Sequence, residues 1–139
     1  MSTYPDRCVL KLERRTIPGE LASDVVAEVE RACGAVRGRR STFVANVRLV
    51  FAQEPSDVSV DAPVVRELVG ALGSRGEAVR IEGMSAWTDA ALLNQAGIPA
   101  VCFGPGDIAL AHAAEEYIPL DEIDRATDVL DSFAQRWCS

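Results

Sequence analysis

Alternating apolar and polar positions predict several β-strands along the chain. Residues 8–13 alternate with a period of two, which places Cys8, Leu10 and Leu12 on one face. Residues 43–51, "FVANVRLVF", follow the same pattern over nine positions and give the clearest strand. Residues 79–81 predict a short strand, and the continuous apolar run at 98–103 is typical of a buried parallel strand.

Apolar residues at helical spacing predict helices between and after these strands. Asp61 and Thr88 are predicted N-caps, and Gly73 and Gly97 mark the ends of the helices that follow them. The predicted helical stretches are 20–33, Asp61–Gly73, Thr88–Gly97 and 121–137, and Gly34 and Gly38 mark the exit from the first of them.

Together these elements predict an α/β fold. The polar, proline-bounded stretch 52–63 is the expected boundary. Before it we expect a strand-helix-strand unit, and after it an alternation of helices and strands around a mainly parallel sheet. In such sheets, ligands bind in loops at the carboxyl ends of the strands.

Composition narrows the function classes. The chain has 139 residues, 48% of them hydrophobic, and a formal net charge of −7 with a pI near 4.7. Such a charge repels phosphate backbones and anionic membranes, so we expect no nucleic-acid and no membrane partner. No apolar run approaches the roughly 20 residues of a membrane span, and the N-terminus lacks the layout of a signal peptide, so we expect a cytoplasmic protein. The four cysteines form no C-x-x-C pair and are expected to be reduced thiols.

His112 is the only histidine, and it follows the apolar run at 98–103 and a glycine-rich turn. A neutral imidazole there is a good zinc ligand, which Glu115 or Glu116 could orient. The alternative is a hydrogen-bonded loop histidine, because one ligand does not hold a zinc ion.

Other candidate residues also have structural alternatives. Gly104-Pro105-Gly106 allows close approach of the backbone to a ligand, or simply forms a turn. Thr88 and Asp89 could bind an anionic substrate at a helix N-terminus, or only cap the helix. Arg14 and Arg15 could hold a carboxylate, or lie exposed on the surface.

Two stretches resemble the dinuclear zinc amidohydrolases that include acetylornithine deacetylase, succinyl-diaminopimelate desuccinylase and carboxypeptidase G. "RRTIPGE", residues 14–20, is similar to the Arg-x-x-Pro-Gly turn of the family's lid, or dimerisation, domain. Residues 88–123 are similar to its C-terminal segment: Thr-Asp, Gly-Ile-Pro, Gly-Pro-Gly, a histidine, then Glu-Tyr-Ile.

The resemblance implies a role for each candidate residue. His112 would ligate one of two zinc ions, with cobalt as an alternative metal, and Arg15 would bind the substrate carboxylate. Thr88, Asp89, Gly104 and Gly106 would line the substrate pocket. Residues 1–54 would be the second half of the lid, through which the family forms homodimers, and residues 55–139 the C-terminal part of the catalytic domain.

The family's earlier catalytic segment, with its His-x-Asp motif, bridging aspartate and Glu-Glu pair, is absent from the sequence. The expected function is therefore that of a C-terminal part of a metallohydrolase cleaving amide bonds of N-acyl amino acids or small peptides, inactive as an isolated chain. The alternatives are a non-catalytic module that dimerises or binds a carboxylate, and one subunit of a split enzyme.

Overall fold

A computed structural model describes residues 5–139. Its contacts divide the chain into two compact units, Met1–Pro55, described from residue 5, and Ser56–Ser139. The assignment of residues 1–54 to a lid and of 55–139 to a catalytic domain stays a prediction.

The first unit contains one helix, α1 (Ala22–Arg39). Asp24 in its first turn and Arg37 and Arg39 in its last turn complement the helix dipole. The glycines at 34 and 38 do not end the helix, which continues to Arg39 and closes with a hydrogen bond from the Arg40 N–H to the Val36 carbonyl (2.9 Å).

The second unit is built on α2 (Pro63–Ser74) and α4 (Leu120–Trp137), which pack against each other. Val65 and Ala71 of α2 and Ala126 and Val129 of α4 are buried. Burial of these apolar side chains is the main force that holds the pair together.

Two ion pairs also connect α4 with α2 and with Arg75, the residue that follows α2. Nε of Arg136 lies 3.0 Å from a Glu67 carboxylate oxygen, and Nη1 of Arg75 lies 3.3 Å from an Asp128 oxygen. All four side chains are at least a third exposed, so each pair adds at most about 1 kcal/mol.

A shorter helix, α3 (Ala90–Gln95), lies between them in the chain, and Ala91 is buried. It ends in a Schellman motif, in which the Gly97 N–H donates to the Asn94 carbonyl (3.0 Å) and the Ile98 N–H to the Leu93 carbonyl (2.9 Å). Gly97 has φ 77°, a conformation that glycine adopts without strain. The prediction that this helix closes at Gly97 is confirmed.

Neither predicted N-cap forms a capping hydrogen bond. Ala62 occupies the N-cap position of α2, one residue after Asp61, because Pro63 takes the first helical position. Asp89 occupies the N-cap position of α3, and the hydroxyl of Thr88 lies instead against Cys102.

The predicted α/β fold is wrong for residues 5–139, which contain helices and no strand. The predicted strands at 8–13, 43–51, 79–81 and 98–103 are irregular segments. A helix satisfies its backbone groups within itself, whereas a strand needs a second segment to complete its ladder. Within the described residues no segment supplies that ladder.

The 43–51 segment nevertheless keeps part of the predicted alternation. Phe43, Ala45 and Val47 are half-buried, while Val44, between the first two, is 83% exposed. The period of two in the sequence therefore records which side chains face the rest of the unit, without a ladder being formed.

Among residues 5–139, every helix falls short of the length and apolar character that a bilayer crossing demands.

Candidate functional site

The turn at residues 14–20 is organised by the carboxylate of Glu20. Ile17 and Glu20 close a β-turn around Pro18 and Gly19, with the Glu20 N–H donating to the Ile17 carbonyl at 3.1 Å. The Glu20 side chain in return accepts the Ile17 N–H at 2.9 Å and two N–H groups of Arg14, one of them at 2.7 Å.

These hydrogen bonds favour the charged form of Glu20. The Arg14 guanidinium, followed by the Ile17 N–H, lowers the pKa of Glu20 from 4.5 to about 2. The same pair raises the pKa of Arg14. The Arg14 side chain is therefore held within the turn by its hydrogen bonds to Glu20.

Arg15, the predicted carboxylate-binding residue, lies outside this network. Its Nε is 2.8 Å from a Glu13 carboxylate oxygen, and the two side chains are 66% and 75% exposed. A solvated pair of this kind is weak and exchanges readily. The carboxylate-binding role of Arg15 stays a prediction.

In the second unit, Thr88 and the 98–103 segment are in contact. The Thr88 hydroxyl lies 3.2 Å from Cys102 Sγ, two residues before Gly104. Asp89 is exposed. The structure therefore places Thr88 beside the chain that leads into the glycine turn.

Asn94 of α3 holds the start of the same segment. Its side-chain oxygen accepts the Ala100 N–H at 2.7 Å, and its side-chain nitrogen donates to the Ala100 carbonyl at 2.9 Å and to the Ser56 hydroxyl at 2.6 Å. One amide side chain thus satisfies both backbone groups of Ala100, as a neighbouring strand would.

The Gly104–Gly106 turn lies over α4. Gly106 has φ 91°, and its N–H donates to a Glu122 carboxylate oxygen in the first turn of α4 (2.9 Å). A side chain at this position would be strained by that φ and would also meet Ile118 at 3.1 Å.

A small cavity of about 140 Å³ lies between this turn and the α2–α4 pair. Phe103, Gly104 and Pro105 form one side of it, and Glu122 and Arg125 contribute charge. It is smaller than the 300–1,000 Å³ of typical small-molecule pockets. The described residues therefore form only a shallow depression beside Gly104.

His112 follows a 3₁₀ turn (Ile108–Leu110), in which the Asp107 side chain accepts the Ala109 N–H at 2.9 Å. Its backbone has φ 65°, and it is the only described non-glycine residue with a positive φ. For an L-residue this left-handed conformation costs roughly 1–2 kcal/mol, although histidine adopts it more often than most residues do. The conformation accordingly needs support from its surroundings.

Glu116 makes that supporting contact. Its carboxylate accepts the backbone N–H of His112 at 3.1 Å. The orientation of the imidazole by Glu115 or Glu116 stays a prediction. Glu116 bonds the backbone of His112, and Glu115 takes part in none of the hydrogen bonds or ion pairs found among residues 5–139.

The donor set around His112 does not suffice for a metal centre. A catalytic zinc site takes three protein ligands. Within the described part of the chain, no group of three or more His, Cys, Asp or Glu side chains is arranged to hold a metal ion. His112 thus belongs to no cluster of three metal-binding side chains among these residues.

Several residues that shape this region were missed by the sequence analysis. Asn94, Glu116 as a backbone acceptor and Glu122 act on partners that are 4 to 38 positions away, so no local pattern indicates them. Arg14 was considered together with Arg15 as a carboxylate-binding or exposed residue, and its pairing with Glu20 was not predicted. The signal in the sequence was Glu20, an acidic residue at the end of the turn, which is the partner of Arg14.

Comparison with known proteins relates the whole chain to one family. The model of Peptidase family M20/M25/M40 matches residues 8–136. Acetylornithine deacetylase of Myxococcus xanthus is 33% identical over 137 residues, which cover 99% of this chain and 35% of that protein. No solved structure matches.

Shorter matches fall on further hydrolases. N-acetyl-L-citrulline deacetylase of Xanthomonas campestris pv. campestris is 46% identical over 39 residues, 28% of this chain and 11% of that protein. N-formyl-4-amino-5-aminomethyl-2-methylpyrimidine deformylase of Bacillus subtilis is 38% identical over 52 residues, 37% and 12% of the two chains.

The match to the Myxococcus xanthus deacetylase covers 99% of the chain but only about a third of the length of that deacetylase. The family model covers residues 8–136, far more than half of the 139 residues. The chain belongs to Peptidase family M20/M25/M40.

Proposed function

We propose that the chain is part of a metal-dependent hydrolase that cleaves the amide bond of N-acyl amino acids or small peptides. The observation that carries the proposal is the match to acetylornithine deacetylase along 99% of the chain. The names of the other matched relatives, a deacetylase and a deformylase, describe removal of an acyl group from nitrogen.

His112 would be one ligand of a zinc or cobalt ion in the assembled site. The described residues offer no group of three donors, so the further ligands and the general base would come from chain beyond residues 5–139. A metal in the assembled site would activate a water molecule. The chain itself would supply recognition and positioning.

Each unit, taken by itself, contains candidate substrate-binding residues. Arg15 would bind the substrate carboxylate through two N–H groups of its guanidinium. Its ion pair with Glu13 is exposed and weak, so a substrate carboxylate could replace Glu13. Thr88, Asp89, Gly104 and Gly106 would line the pocket. Residues 1–54 would form a homodimer contact.

The first test uses the isolated chain. With ZnCl₂ or CoCl₂ and acetylornithine, we expect no release of ornithine above the rate without protein, because one imidazole cannot complete a catalytic metal site. Zinc-dependent turnover by the pure 139-residue protein would contradict the proposed division of the site.

The second test combines the chain with the rest of a matched relative. A chimera in which this chain replaces the matched segment of the Myxococcus xanthus deacetylase should hydrolyse acetylornithine. His112→Ala in the chimera should lower kcat by roughly 100-fold or more, since even the loss of a residue that only supports a metal ligand costs 10–100-fold. Gln135→Ala, at an exposed position of α4, is the control and should retain activity.

The outcomes separate the alternatives. A folded chimera without activity would favour a non-catalytic module. An active chimera that is unaffected by His112→Ala would remove His112 from the reaction and leave the family assignment intact.

A further inference from the structure

The loop from Gly104 to Glu116 is held by carboxylates that accept backbone N–H groups. Glu122 accepts from Gly106 at 2.9 Å, Asp107 from Ala109 at 2.9 Å, and Glu116 from His112 at 3.1 Å. Hydrogen bonds to a charged acceptor are stronger than neutral ones. The backbone of the loop is therefore fixed at three points by acids.

The third of these contacts coincides with an unusual backbone conformation. His112 has φ 65°, so the direction in which its Cα–Cβ bond leaves the loop differs from that of an ordinary extended or helical residue. A change of φ to a negative value would redirect the imidazole. The Glu116 contact acts on the same N–H that such a rotation would reorient.

We propose that Glu116 is a positioning residue, which holds the backbone of His112 in the left-handed conformation and thereby sets the direction of the imidazole. It acts through the main chain and not through the ring. The importance of this direction for catalysis rests on the proposed function, whereas the backbone effect stands without it.

Glu115 makes the proposal specific. It is the same residue type, is adjacent in sequence and is also exposed. Within residues 5–139 it accepts no hydrogen bond and joins no ion pair. A non-specific effect of removing negative charge near His112 should therefore be the same for either glutamate, whereas a positioning effect belongs to Glu116 alone.

The test uses NMR of the full chain, in which the single histidine gives one set of imidazole resonances. A positive φ brings the amide and Hα protons of His112 close together, so the wild type should show a strong intraresidue NOE. Glu116→Ala should weaken this NOE severalfold and shift the imidazole resonances. Glu116→Gln keeps an oxygen acceptor and should preserve both signals, and Glu115→Ala should leave them as in the wild type.

A stability cycle gives an independent measurement. Glu116→Ala should lower the Tm of the wild type less than that of His112→Gly. Once the contact is lost, the wild-type histidine relieves its left-handed strain by changing φ, whereas glycine has no such strain to relieve and loses the whole contribution of the contact. Equal losses in both backgrounds, a wild-type NOE in Glu116→Ala, or the same change in Glu115→Ala would each overturn the proposal.

These outcomes are distinct from those of the proposed function. If the NMR result holds while His112→Ala leaves an active chimera unaffected, Glu116 positions a histidine that is not used in the reaction. If His112→Ala abolishes activity while Glu116→Ala leaves the NOE unchanged, the proposed function stands and the positioning role fails.

Discussion

The two arginines of the 14–20 turn differ in their partners, although they are neighbours in the sequence. Arg14 is bound by Glu20, which also holds the Ile17 N–H, while Arg15 pairs with the exposed Glu13. The shape of the turn thus depends on Arg14. A carboxylate ligand could bind Arg15 without breaking the hydrogen bonds of the turn, because Arg15 pairs only with the exposed Glu13.

Replacing Arg14 with Gln should raise the pKa of Glu20 from about 2 towards 4.5, because the largest cause of its depression is removed. In the wild type the charged carboxylate is favoured in the folded state. Its contribution to stability is therefore present above pH 4.5 and is lost as the pH falls through about 2. Carboxyl ¹³C NMR of Glu20 between pH 1.5 and 6 (chosen to span roughly both pKa values) measures the shift.

Arg15→Gln is the control for this titration. It removes the same charge one position away without touching the Glu20 hydrogen bonds, so the Glu20 curve should not move. An unchanged Glu20 pKa in Arg14→Gln would show that the Arg14–Glu20 pair does not persist in solution.

At the scale of elements, the α2–α4 contact is the centre of the second unit, and Val129 is its most enclosed large side chain, with 1% exposure. Val129→Ala removes two buried carbon groups at about 0.8 kcal/mol each and leaves a cavity. We expect a loss of about 2 kcal/mol in the free energy of unfolding, measured by urea denaturation with helical circular dichroism.

Leu130→Ala is the matched control, since Leu130 is the next residue of α4 and is 48% exposed. It should cost less than Val129→Ala even though it removes a larger side chain. The reverse order would mean that another face of α4 is buried in solution.

The helices were predictable because their hydrogen bonds and much of their patterning are local. The spacing of apolar residues predicted α2 and α4 within one or two residues at each end, as Pro63–Ser74 and Leu120–Trp137 show. The limits of α1 were less accurate, because Gly34 resembles a stop signal but lies inside the helix.

The strand predictions were wrong because the hydrogen bonds of a strand are not local. The alternation at 43–51 correctly indicates the half-buried side chains at 43, 45 and 47, although Leu49 and Phe51 of the same face are exposed. A ladder also needs a partner that local sequence does not specify. The site follows the same rule. His112 was identified by its residue type and surroundings, whereas its positive φ and its backbone contact with Glu116 were not encoded in any pattern.

At the scale of the whole molecule, a net charge of −7 coexists with large exposed apolar side chains. In the 43–51 segment, Val50 is 81% and Phe51 73% exposed. Charge repulsion keeps such chains apart at low ionic strength, and exposed extended apolar segments promote association once that repulsion is screened.

We expect the isolated chain to self-associate when NaCl is raised from about 0.05 to about 0.5 M, where the Debye length falls to a few ångströms. Val44→Glu with Val50→Glu should suppress this association, because it removes apolar surface and takes the charge from −7 to −9, two more negative side chains. Light scattering coupled to size-exclusion chromatography gives the mass at each salt concentration.

Ser41→Glu with Thr42→Glu adds the same charge at exposed positions and keeps both valines. If this control suppresses association equally, charge alone accounts for the effect and the 43–51 segment is not the contact. A mass independent of salt in the wild type would contradict the prediction itself.

The hydrogen bonds between the Asn94 side chain and the Ala100 backbone restrict which residues can replace Asn94. Two paired strands can exchange most of their side chains and keep their ladder, because the hydrogen-bonding groups belong to every residue alike. The connection from α3 to the 98–103 segment depends instead on the side-chain amide of the single residue Asn94. Only a side chain with both a donor and an acceptor satisfies the N–H and the carbonyl of Ala100. We therefore expect position 94 to tolerate few substitutions, although it lies on a short helix.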